Sequence, residues 1–132
     1  MYRLYVDESY QSDHYYVSGI LVDEKTNEDL IRSLENLAIS LQVDNHVVPP
    51  EFHAHALMNG KDDWTHLRGN FGAALSVYRR AMHAIAGVGA EVFIEGVDVQ
   101  RLNARYRYPD PPYEVVLRHM LERVHEICGR RK

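Results

Sequence analysis

The chain has 132 residues, 45% apolar and 26% charged, with 15 Lys and Arg against 19 Asp and Glu and a net charge of -4. That length and usage fit one domain, 1–132, with a core of its own, and exclude a disordered chain. The acidic balance excludes a surface-wide field for polyanions, so any nucleic-acid contact requires a local basic patch. The lone Cys128 cannot close an internal disulfide, and no apolar run approaches the roughly 20 residues of a spanning helix. A reducing, cytoplasmic setting without membrane insertion is expected.

"YRLYVDES" and "HYYVSGILVD", separated by "YQSD", are rich in β-branched and aromatic residues and predict a hairpin. From Thr26, a candidate cap with Asp29 three residues later, Leu30, Leu34, Leu37, Ala38 and Leu41 recur at helical spacing, which predicts a helix ending near Gln42. Pro49 and Pro50 then break the chain. "EFHAHA" alternates with period two, a short strand closed by "NGKDD". Trp64, Leu67, Phe71, Leu75, Tyr78, Met82 and Ile85 mark a second helical face, weakened early by Gly69 and Gly72. "GAEVFIEGV" predicts a largely buried strand. After "YPDPP", with Pro112 in the first turn, Tyr113, Val116, Leu117, Met120, Leu121, Val124 and Ile127 define a last helix stopping at Gly129. The expected class is α/β, a mixed sheet with helices packed on it.

Three groups of residues could carry chemistry. Asp7 of "VDES" stands where an apolar strand reaches an acidic pair, a rigid position for a divalent-cation ligand; a solvated turn is the other reading. Glu51, His53 and His55 share one face if "EFHAHA" is a strand. A carboxylate with imidazoles suits zinc, manganese or iron, or magnesium with His as proton carrier, and a polar outward face is the other reading. Arg101, Arg105, Arg107, Arg118, Arg123, Arg130, Arg131 and Lys132 make the last third basic, with Tyr106 and Tyr108 interleaved. Phosphate contacts with stacking would follow, or a solvated helix face balanced by Glu114, Glu122 and Glu126. His14, His46, His66, His83, His119 and His125 are scattered, and Asp98 fits a cap better than a ligand.

Taken together, "YRLYVDES", "YYVSGILV", "EFHAHALMNGKDDW", "EVFIEGVDVQRLNARY" and "PYEVVLRHMLERVHEI" resemble the domain of unknown function 3800 family, across essentially the whole chain. The resemblance implies a ribonuclease H-like fold and an acidic site. Asp7 would be the leading metal ligand, Glu51 the second carboxylate, His53 a catalytic polar partner and His55 a further ligand, with Glu8 structural. Two Mg²⁺ or Mn²⁺ ions in such a site activate water and stabilise the leaving oxygen. Tyr10 stands where members often carry Gly. The family's later acidic strand and Asp-bearing helix would lie beyond Lys132, so the expected pattern is incomplete at its C-terminus.

The resemblance thus implies a metal-dependent nuclease, a hydrolase of phage or mobile-element type. Its alternative is a catalytically incomplete module that binds nucleic acid or protein, or self-associates as a homo-oligomer. A third reading, a histidine-rich metallohydrolase suggested by "HAH", needs a longer barrel and more ligands than this chain offers.

Overall fold

Two β-rich runs divided by three polar residues do fold on each other. A computed structural model of the protein describes residues 1–45 and 51–131, without the side chains of 43–45; His46, Pro49, Pro50 and Lys132 lie outside the described residues. In chain order the elements are β1 (Tyr2–Tyr10), β2 (His14–Asp23), α1 (Glu24–Asn45), α2 (Ala54–Asn59), a 3-10 helix (Asp62–Leu67), α3 (Phe71–Gly87), β3 (Glu91–Asp98), α4 (Val99–Arg105) and α5 (Pro112–Arg130). They form two compact units: Met1–Glu24 with Glu91–Lys132, and Lys25–Ala90. The class is α/β.

The first unit is a three-stranded sheet in the order β1-β2-β3. Both pairings are antiparallel, where a mixed sheet was expected. Register puts Leu4, Gly19 and Val17 on one face, and α5 covers it with Val116, Met120 and Val124. Val17 and Met120 are fully buried, each such side chain contributing about 1.5–3 kcal/mol against exposure. Gly19 eases the close approach of α5: a Cβ there would stand 2.9 Å from the Met120 sulfur and 3.0 Å from Leu4 Cδ1, so those side chains would have to shift. Two arginines of the helix side clip it to β3: Arg123 to Glu95 at 2.7 Å and Arg131 to both carboxylate oxygens of Glu91. Pro112 does open α5, and the helix runs through Gly129 to Arg130.

The opposite sheet face carries Tyr16, Val92 and Ile94, and β3 is not largely buried as its composition predicts. Phe93 is buried, whereas Val92 and Ile94 are 56% and 64% exposed. An apolar, β-branched strand signals sheet propensity, but it does not specify how many faces will be covered.

The second unit is helical. Leu37 and Leu41 of α1, Ala56 and Leu57 of α2, Trp64 and Leu67 of the 3-10 helix, and Ala74, Val77 and Ala81 of α3 make its core. α1 starts at Glu24, directly after β2, so Thr26 lies inside it rather than capping it. Asp29 pairs along the helix with Lys25 at 2.8 Å and Arg32 at 3.5 Å. The second helical face is not continuous: Gly69 at φ 79° breaks it, and Asn70 restarts it by accepting the Ala73 N–H. The buried stripe of α3 is Ala74, Val77 and Ala81, while Phe71 and Met82 are exposed. Small residues let this helix pack closely, so the larger apolar side chains flank the contact instead of making it.

Candidate functional site

Asp7 lies inside β1, not in a turn, with Ser18 beside it in register. One of its carboxylate oxygens accepts the Glu8 N–H at 3.0 Å, and Ser18 Oγ donates to its carbonyl at 3.5 Å. The side chain is exposed. Glu8, the next residue along the strand, points to the face that α5 covers. There burial, and then the Glu8 carboxylate, push the Tyr15 phenol above its ordinary pKa.

The segment after Pro50 corrects the expected strand. Glu51, Phe52 and His53 lie in no strand, the backbone of His53 is extended, and Ala54–Asn59 is helix α2. Ala, Leu and Met are strong helix formers, and the same residues that alternate with period two also place Phe52 and Ala56 four apart, toward the core. Gly60, at φ 57°, ends the helix in the left-handed region; its N–H donates to the Leu57 carbonyl and the Lys61 N–H to the Ala56 carbonyl. A Cβ at Gly60 would meet the Arg68 backbone at 2.5 Å, so glycine is required twice over. Phe52 packs on Trp64, ring centroids 6.0 Å apart.

His53 and His55 therefore do not share a strand face with Glu51. His53 occupies the N-cap position without a side-chain capping bond, and His55 sits in the first turn. Their rings lie 6.4 Å apart at a steep angle. Asn59 Nδ2 donates to the His55 carbonyl at 2.8 Å and lies 3.4 Å from its Nδ1. Glu51, His53 and His55 are all exposed.

Asp7 belongs to the first unit and Glu51, His53 and His55 to the second. Their donor chemistry suits Mg²⁺ or Mn²⁺ through the carboxylates and softer ions through the imidazoles. Their number falls short: among the described residues no three His, Cys, Asp or Glu side chains gather to hold a metal ion.

The C-terminal basic residues divide sharply. Arg123, Arg131, Arg130 and Arg118 pair with Glu95, Glu91, Glu126 and Asp110. Asp98 does cap, accepting the Arg101 N–H at 3.0 Å, and its other oxygen lies 3.5 Å from the Arg101 side chain. What it caps is the helix α4. Arg105 and Arg107 make no ion pair among the described residues; each lies against the ring that follows it, Tyr106 at 5.7 Å and Tyr108 at 5.5 Å. Of the scattered histidines, His14 pairs with Asp13 at 3.2 Å and His66 stacks on Trp64. No helix among the described residues is long and apolar enough to cross a membrane. No family model, curated protein or solved structure matches this chain.

Proposed function

We propose that the chain is a metal-dependent nuclease of ribonuclease H-like type, hydrolysing phosphodiesters in a phage or mobile-element setting. Asp7 and Glu51 are the carboxylates that reaction needs, with His53 as proton carrier and His55 as an auxiliary ligand. The observation that supports this reading is the place of Asp7. Carboxylates are disfavoured within strands, and an exposed one held mid-strand by a hydrogen-bonded hairpin is a rigid anion, not a turn former. His53, exposed at the start of α2, is free of the capping bond that would occupy its ring.

Incubating the chain with RNA and DNA, single- and double-stranded, in Mg²⁺ or Mn²⁺ tests it. Cleavage is expected to fall about 100-fold or more in Asp7→Asn, in Glu51→Gln and in His53→Ala, the scale of one catalytic group. Cleavage that survives Asp7→Asn would overturn the mechanism.

One observation favours a second reading, a self-associating binding module. The sheet face opposite α5 exposes Tyr16, Val92 and Ile94, and β3, which carries the last two, pairs only with β2 among the described residues. An open edge beside exposed apolar residues is a template for another chain. A dimeric mass in solution, with no cleavage, would select this reading.

A further inference from the structure

We infer that the first unit holds a nucleotide-binding cleft, built by the end of β3, α4 and the first half of α5, that takes one phosphate and an adjoining base. It is a recognition site, and it requires neither a metal ion nor cleavage.

The cleft has a volume of about 530 Å³, within the 300–1,000 Å³ of small-ligand sites. Three guanidinium groups line it, those of Arg101, Arg105 and Arg118, against two carboxylates, Asp98 and Asp110. Both carboxylates are already engaged by arginines, Asp98 by Arg101 and Asp110 by Arg118. One positive charge is left over, that of Arg105, which makes no ion pair among the described residues. A single phosphate suits that excess, whereas a polyphosphate would meet the two carboxylates as well.

The aromatic half of the site is the sequence "RYRY", Arg105 to Tyr108. Tyr106 and Tyr108 line the cleft and are 51% and 83% exposed. The Tyr108 ring buries little apolar surface within the protein, so packing does not account for it. Each of the two rings has an arginine against it, which leaves its other surface for a planar partner and adds charge beside the ring. Bases stack on such platforms whatever their identity, and phosphates follow the guanidinium groups. Elsewhere on the C-terminal third the cations are consumed by Glu91, Glu95 and Glu126, so the basic character of the sequence survives chiefly here.

The test is fluorescence anisotropy of the full chain with labelled oligothymidylate and oligouridylate of about ten nucleotides, the scale of single-strand sites, in EDTA to exclude cleavage. Tyr108→Ala is expected to weaken binding about fivefold or more. Its side chain is almost free of the fold, so the variant should fold normally. Arg105→Gln should weaken binding and lower the salt dependence by about 0.7 of a phosphate contact's slope unit, while Arg130→Gln, a matched charge loss in the same unit, should change affinity less than twofold. Competition by a mononucleotide identifies a single-unit ligand, and competition by oligonucleotide alone identifies a strand; either supports the cleft. Displacement by inorganic polyphosphate as readily as by oligonucleotide, with Tyr108→Ala unchanged, would overturn it, as would absence of binding. Binding here with no cleavage in Mg²⁺ or Mn²⁺ sinks the nuclease reading alone, and metal-dependent cleavage beside binding indifferent to Tyr108 and Arg105 sinks the cleft alone.

Discussion

The two units solve the problem of a small core differently. The first assembles strands and a helix that are distant in the sequence, Val17 of β2 meeting Met120 of α5, and fixes them by register and by arginines reaching back to β3. The second packs four consecutive helical segments around Trp64, ending them with local devices: Gly60 after α2, Asn70 before α3. Long-range register makes a rigid platform for chemistry, and local helices make a core that each short segment specifies in turn.

Core truncations should separate the two most strongly. Trp64→Ala is expected to cost about 3–5 kcal/mol and Met120→Ala about 2–5 kcal/mol. Amide exchange should rise first in α2 and α3 for the former, and in β2 and β3 for the latter. Identical exchange patterns from both variants would erase the distinction. The caps probe it more gently: Asn70→Ala and Asp98→Ala, one cap in each unit, should each lower stability by about 0.5–2 kcal/mol in denaturant titrations. A much larger loss at Asp98 would mean that α4 supports the sheet beyond its own length.

The smallest effect concerns the hairpin end of the first unit. Hydrogen bonding to His14 holds the Asp13 carboxyl below its ordinary pKa. A depressed carboxylate contributes fully above its unfolded-state pKa and loses that contribution as pH falls through the folded-state value. Asp13→Asn should therefore be slightly less stable than the parent at neutral pH and equal to it in strong acid. The pair is well exposed, so salt should shrink the difference; an effect confined to alkaline pH would refute the assignment.

What the sequence discloses follows the same division. The hairpin, Pro112 at the start of α5, its stripe of Val116, Met120 and Val124, and the Asp98 cap were legible, because strand composition and capping chemistry are local. "EFHAHA" was not: over six residues a period of two and a helical spacing coincide, and Gly60 with the Trp64 core decides for α2. The rotated face of α3 was hidden because Ala74 and Ala81 carry little hydrophobic signal beside Phe71 and Met82. For the candidate site, Asp7 was visible by its position on a strand, while the geometry of His53 and His55 depended on the helix. The cations free for phosphate could not be sorted from the paired ones without knowing which carboxylates β3 presents.

The divided make-up of the first unit also has a consequence in time. Its hairpin is translated before the second unit, yet the helix that buries Val17 comes after it. At about 5–20 residues per second, Val17 and Leu21 wait roughly 5–20 s for α5. A two-stranded hairpin alone is marginally stable in water, so during that interval the strand bearing Asp7 is the segment most in need of a chaperone or of delay in pairing with a neighbour.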